Sequence, residues 1–493
     1  MRLGAATLLR LRATVERPGY DRAMIRPGIV HLGIGAFHRA HPAVYTEAAL
    51  ARDPRWGIIG ASLRSPATRD ALAPQDGLYA VLVKDGEGAR AQVIGAVLEL
   101  AVAPEDPAGL VARLAAPETR LVTLTVTEKG YCHDPATGAL ARTHPDVRQE
   151  LAQPDRPRSA IGFVVAGLAQ RRRAGLPPLT VLCCDNLPSN GRTLRRIVLE
   201  FADALDPELA RWIEAEIAFP SSMVDRIVPA TTDQDRSAVV DLLGVEDAWP
   251  VVTEPFRQWV IEDSFVGERP AWESGGATFV AAVEPFEHMK LRLLNGAHSA
   301  IAYLSVPAGI ETVADAMALP GMRGFLRTLW AESGDTLDLP TGYDRAGYVV
   351  ALERRFANQA LRHRTQQIAM DGSQKLPQRL LAPIRARLAA GRPITTLALA
   401  VAAWMRHVRG RAEDGAAITL DDPLAGELRR AADTAASAAS VVRNLVSMEV
   451  VFGADLGPDT RFVEAVEQAL VMLDRLGTRR FLAQYQSEDQ GGP

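Results

Sequence analysis

The chain has 493 residues, too many for one hydrophobic core and enough for two domains or three. Its 47% hydrophobic and 23% charged residues describe an ordinary globular protein, and a net charge of −4 from 55 basic and 59 acidic residues argues against a nucleic-acid-binding or membrane-surface role. Cys132, Cys183 and Cys184 make neither a metal spacing nor a disulfide framework, which fits a reducing cytoplasm. The N-terminus, interrupted by Arg2, Arg10 and Arg12, has no secretory h-region, and no run approaches a membrane span.

Pro27 and Gly28 introduce a β-rich run that ends in Gly33-Ile34-Gly35, and residues 37–50 read as one helix. Strand, glycine turn and helix form the opening of a dinucleotide-binding unit. Two glycines permit a tight turn and close backbone approach, and the helix N-terminus offers N–H groups to a pyrophosphate. The third glycine of that fingerprint is replaced by His38. A plain strand-to-helix turn would look the same.

Further strand-like runs lie at 57–62, 79–83, 93–100, 121–126 and 179–184, with helical segments at 109–114 and 159–174 between several of them. This alternation predicts a largely parallel α/β sheet. Arg171, Arg172 and Arg173 read as the solvated, dipole-favoured end of the second helix. Two strand ends carry polar clusters. Thr125 to Gly130, with Thr127, would line a ligand or build a turn; Asn186, in Cys184-Asp185-Asn186, would hold an oxygen or cap the next helix.

Strand character continues weakly to Phe279. From Pro285 onwards helical segments dominate, at 313–319, 383–390, 395–408 and 462–476, and a domain boundary is expected near residue 284. Residues 431–440 are Ala/Ser-rich but helix-compatible, and 487–493 read as a disordered tail. The stretch 287–298 carries the most chemistry. On an α-helix Glu287, Lys290, Asn295 and His298 fall within an arc of about 140°. A lysine, a carboxylate, an amide and an imidazole on one face suit proton removal from an alcohol. A solvated amphipathic face has the same periodicity. Gly296 marks close approach by another element. On a straight helix Lys290 and His298 stand about 12 Å apart along the axis, so a shared ligand must be long or the helix must bend.

These residues carry a resemblance. The chain resembles the long-chain mannitol dehydrogenases, a polyol-specific group that includes mannitol 2-dehydrogenase and fructuronate reductase (D-mannonate oxidoreductase), from Ile29 to about Ala483. The specific motif is Lys-x4-Asn-x2-His, here Lys290, Asn295 and His298. GIGAFHRAH (33–41), TVTEKGYC (125–132), CDNLPSNG (184–191), MVDRIVPAT (223–231) and EPFRQWVIED (254–263) support it.

The resemblance implies an N-terminal Rossmann-type doubly wound domain, 1–284, and a mostly helical catalytic domain, 285–493, in a 6-phosphogluconate dehydrogenase-like plan. It implies a metal-independent NAD enzyme, often monomeric, that interconverts a secondary alcohol and its ketone. Lys290 would be general base and acid, a role that needs an ammonium able to release its proton near neutral pH, which burial favours. Asn186 and Asn295 would hold the oxygen, His298 an adjacent hydroxyl, and Glu287 would gate proton exit. Gly33, Ile34, Gly35, Ala36, Phe37, His38, Arg39 and Thr127 would bind the cofactor, and Val224, Asp225 and Lys375 the substrate.

Two departures stand out. Gln367 replaces an arginine found eight residues before the lysine in mannitol 2-dehydrogenases, and the segment 362–377 looks like fructuronate reductases, so Arg364 is a candidate partner for a substrate carboxylate. After the second strand, Ser62 to Arg69 lacks the acidic residue that grips ribose hydroxyls, and Arg64 or Arg69 would tolerate a 2′-phosphate, which leaves NADP open. D-mannonate/D-fructuronate and D-mannitol/D-fructose are the rival substrate pairs. A non-catalytic dinucleotide or sugar sensor and a dehydrogenase of a phosphorylated sugar acid are the competing classes.

Overall fold

The computed structural model describes residues 1–134, 137–435 and 437–485, so the expected tail at 487–493 lies outside the described residues. The chain divides into two compact units, Met1–Glu284 and a second beginning at Pro285.

The first unit is built on a five-stranded parallel sheet. Its strands are β1 (Pro27–Leu32), β2 (Gly57–Ser62), β5 (Val97–Val102), β6 (Leu121–Leu124) and β7 (Thr180–Cys183), in the order β5-β2-β1-β6-β7. Residues of β1 alternate between two cores: Val30 and Leu32 join one cluster, Ile29 the other. Both faces are therefore buried, as a parallel sheet requires.

β3 (Tyr79–Lys84) and β4 (Ala89–Ile94) are not part of that sheet. They form an antiparallel hairpin, and β9 (Val251–Thr253) adds to β3 in parallel. The run 93–100, expected as one strand, is thus two strands in different sheets. Gly95 makes the break: its N–H donates to Glu47 Oε2 at 2.8 Å, and a Cβ there would lie 2.7 Å from Pro18. A third sheet orders as β11-β10-β8, from β8 (Ser222–Asp225), β10 (Gln258–Glu262) and β11 (Thr278–Val280).

The helix expected over 37–50 is also interrupted. One turn, α1 (Ala36–Ala40), gives way at His41 (φ −128°, ψ −80°) to α2 (Pro42–Leu50). Proline disfavours the helical conformation in the residue before it, so Pro42 breaks the helix and begins the next. A second correction concerns Arg171. It is buried, its guanidinium donating to the Pro177 and Ala116 carbonyls, and so it ties a helix end to a loop instead of meeting solvent.

In the second unit every residue of the helix Gly296–Ser305 is buried, and it packs on Thr395–Val408, which packs on Thr460–Leu482. Apolar character all round marks the first two as central helices. Two segments depart from α-geometry. Lys290–Asn295 and Pro377–Leu381 are π-helical, closed by N–H groups of Gly296 and Ala382 that reach the carbonyls of Leu291 and Pro377.

Candidate functional site

β1 lies where the strand order reverses, with β2 on one side and β6 on the other, and ligands of open α/β sheets bind beyond the carboxyl ends at that point. A cavity of about 990 Å³ opens there, lined among others by Gly33, Ile34, Gly35, Arg64 and Thr127. Gly33 has φ +94°, and a Cβ on it would fall 2.2 Å from the Thr125 carbonyl oxygen. That glycine lets β1 and β6 close on each other. Gly35 differs: a Cβ there would find only the Gly33 oxygen at 3.8 Å, so its missing side chain leaves room on the cavity wall.

Beneath the turn lies His31, buried on β1. Its Nδ1 shares a 2.7 Å hydrogen bond with the Thr123 hydroxyl, and its Nε2 lies 2.9 Å from Thr125 Oγ1 and 3.2 Å from the Gly33 carbonyl. A carbonyl only accepts, so Nε2 carries a proton. Burial depresses its pKa to about 3. His38, at the third-glycine position, stacks on His31 at 3.5 Å and is also buried; Arg39 turns inward to the Trp249 carbonyl and the Tyr79 ring. Neither side chain lines the cavity, nor do Ala36 and Phe37. With α1 a single turn, the local anion attraction rests on backbone amides more than on a helix dipole.

Thr127 has φ +64° and ψ 161°, a region close to glycine-only, at the cavity wall. Asp185 holds that segment. Its Oδ2 accepts from the Val126 N–H (2.7 Å) and the Tyr131 hydroxyl (2.8 Å), while burial raises its pKa against those bonds. Asp185 and His31 were not singled out from sequence, although a polar residue inside an apolar strand and a carboxylate beside Asn186 were both visible signals. Asn186 is exposed, and the next helix starts at Asn190 with Ser189 at its N-cap, so Asn186 does not cap it. Val224 and Asp225 are buried on β8.

In the second unit Lys290 and His298 are 9% and 7% exposed; Asn295 and Glu287 are half-buried. Lys290 and Asn295 are the first and last residues of the π-turn. An extra residue per turn shortens the axial distance, so the straight-helix separation of Lys290 and His298 does not apply. The turn is held by Trp330, whose indole N–H donates to the Leu293 carbonyl at 2.9 Å, and by Arg292, which donates to Thr336. Gly296 supplies the close approach expected of it: a Cβ there would stand 3.1 Å from the carbonyl oxygen of Arg379, in the other π-turn.

The His298 ring lies tilted against Phe356 at 4.5 Å and meets His363 edge-on at 5.1 Å. Burial, then His363, Arg355 and Arg379, hold its pKa well below the usual histidine value. Lys375 Nζ donates to the Met370 carbonyl at 2.5 Å. Arg364 and Gln367 are exposed. Arg69 is paired with Asp70 and Glu105. Among the described residues no cluster of three or more His, Cys, Asp or Glu is gathered as a metal site requires, and no helix is long and apolar enough to cross a membrane.

Strand order and the cavity at its switch point define the first unit as a Rossmann-type domain, here joined to a helical one. Family models for the mannitol dehydrogenase Rossmann domain and the mannitol dehydrogenase C-terminal domain match residues 27–274 and 282–474. The chain belongs to the mannitol dehydrogenase family and is an oxidoreductase. It is 44% identical over 484 residues to D-mannonate oxidoreductase of Escherichia coli (strain K12), covering 97% of this chain and 99% of that one. Mannitol 2-dehydrogenase of Phaeosphaeria nodorum is 40% identical, covering 98% of this chain and 86% of the relative. Among solved structures, the Pseudomonas fluorescens mannitol 2-dehydrogenase ternary complex with NAD and D-mannitol matches over 100% of both chains with a TM-score of 0.83 and 37% identity. A D-sorbitol dehydrogenase in substrate-free form matches with a TM-score of 0.91 and 32% identity, covering 98% of this chain and 100% of that one.

Proposed function

We propose that the protein is an NAD-dependent dehydrogenase that interconverts a sugar acid or polyol with its keto form, with D-mannonate and D-fructuronate as the leading pair. The observation that carries this reading is the π-turn: Lys290 begins it, Asn295 ends it, His298 follows within a helical turn, and Lys290 and His298 are drawn inward. In oxidation Lys290 takes the proton from the substrate hydroxyl and in reduction returns it, Asn295 and Asn186 donate hydrogen bonds to the oxygen, and His298 binds a neighbouring hydroxyl. Glu287 passes the proton to water, and Val224, Asp225 and Lys375 contact the rest of the substrate.

The cavity fits a dinucleotide through Gly33, Ile34, Gly35 and Thr127, with space at Gly35 where a side chain would intrude. Bound NAD supplies the hydride acceptor or donor. The absence of an acidic residue after β2, with Arg64 on the wall, supports testing NADP beside it. The identity to D-mannonate oxidoreductase supports the acid pair; likeness to mannitol 2-dehydrogenases supports D-mannitol and D-fructose as the second reading.

The test is NADH oxidation with D-fructuronate and D-fructose offered separately, and NADPH as control. Preference for fructuronate by about 100-fold, on the order of 3 kcal/mol, supports the acid. Preference for fructose moves the assignment to the polyol. A Lys290→Ala protein that keeps full activity sinks the mechanism.

A further inference from the structure

Around His298 the second unit gathers His363, Arg355 and Arg379, and all three disfavour a charge on the imidazole. The imidazole is neutral, and its Nε2 has no hydrogen-bond partner among the described residues. Two cations, Lys375 and Arg379, lie on the adjoining segment and differ in kind. Lys375 already has a carboxylate beside it: its ammonium donates to the Met370 carbonyl at 2.5 Å and stands 3.9 Å from Asp371. Arg379 has no carboxylate within ion-pair distance among the described residues, and its guanidinium donates only to Ser299 Oγ, at 3.1 Å.

Burial lowers the Arg379 pKa, and Tyr303, not a carboxylate, is the group that opposes the shift. Arg379 nonetheless keeps accessible surface, the combination expected of a side chain on the wall of a recess. A guanidinium cannot shed its charge, and leaving one embedded without an anion is costly. Its planar fork matches a carboxylate. Its backbone is fixed as well. The Arg379 carbonyl packs against Gly296, so the π-turn that carries Arg379 is locked to the helix that carries Asn295, His298 and Ser299. Arg364, the candidate from sequence, is exposed instead.

We propose that Arg379 is the specificity-determining residue that receives the substrate's carboxylate and makes this a sugar-acid enzyme. This rests on the dehydrogenase reading above. The experiment compares kcat/KM for D-fructuronate and D-fructose in the wild type, Arg379→Gln and Arg379→Lys. Loss of one charge-assisted contact predicts that Arg379→Gln lowers the fructuronate-to-fructose ratio about 10- to 100-fold, chiefly through KM, and that Arg379→Lys restores part of it. An unchanged ratio, with both substrates impaired equally or neither, overturns the proposal.

Should Arg379→Gln fail to fold, wild-type inhibition decides: D-mannonate must compete at least about 10-fold more tightly than D-mannitol. Equal inhibition overturns the proposal. The two ideas fail separately. A wild type inactive on both sugars removes the dehydrogenase reading and this one with it; a wild type active on fructuronate with Arg379→Gln unimpaired removes this one alone.

Discussion

The cavity at the end of β1 and the π-turn at Lys290 are built by opposite means. In the first unit the backbone does the shaping: a glycine at φ +94°, an empty Cβ position at Gly35 and a threonine held in a glycine-like conformation. His31, His38 and Asp185 serve that backbone from below. In the second unit the proposed chemistry rests on side chains, and the backbone contributes an altered helical register that sets where they stand. A site made by backbone tolerates little change at a few glycines; one made by side chains is sensitive at the functional groups themselves.

The sharpest break in that comparison is Lys290→Met. General acid–base catalysis is worth roughly 10²- to 10⁴-fold, so turnover is expected to fall by that much with the thermal midpoint unchanged. Steady-state rates beside a melting curve check it; a large loss of stability would make Lys290 a structural residue.

Next come the two glycines. Gly33→Ala combines positive φ with a backbone collision and is expected to cost more than about 2 kcal/mol of stability. Gly35→Ala meets nothing closer than 3.8 Å and should leave stability within about 0.5 kcal/mol, while raising the KM for coenzyme. Urea titration of both proteins, with coenzyme kinetics on the second, reads the difference. Equal stabilities would mean that Gly33 is not needed for strand closure.

The buried histidines give a pH signature in both units. His31 is held to about 3 and His407 to about 4, each mainly by burial. Because the folded values lie below the unfolded value of about 6.5, the unfolded chain binds the extra proton. Stability is therefore full above about 6.5 and is lost as pH falls towards the folded values. At pH 5 each contributes a loss of about 2 kcal/mol. Urea midpoints at pH 7 and 5 test this, and His31→Gln should remove its share of the difference. An effect smaller than either histidine's, and of opposite sign, is expected at Thr127→Gly, which relieves strain and raises stability by about 1 kcal/mol while weakening coenzyme binding. A destabilised Thr127→Gly would show that the threonine side chain, not its backbone, matters there.

What was legible in the sequence follows the same division. Glycines advertise backbone demands, so Gly33-Ile34-Gly35 stood out, and Pro42 was visible as the cause of the break at His41. The split of 93–100 was hidden because β-branched residues suit either sheet, and Gly95 alone marks the bend. Lys290, Asn295 and His298 were found as a motif, but periodicity assumes 3.6 residues per turn and cannot detect an inserted residue. Arg379 escaped notice because nothing in Leu-Pro-Gln-Arg tells a buried guanidinium from a solvated one; its lack of an acidic partner exists only in three dimensions.

The π-turn has a consequence for how this chain can vary. A π-turn is an α-helix with one residue too many, so removing any single residue between Lys290 and His298 would let ordinary helix form across the gap. The helix on either side would stay nearly in phase, because a π-turn takes up its extra residue within one turn, and what would be lost is the widened turn between Lys290 and Asn295. The count of residues from 290 to 295 is therefore what holds that turn open, independent of which apolar residues fill it: substitution leaves the turn in place, and a deletion closes it.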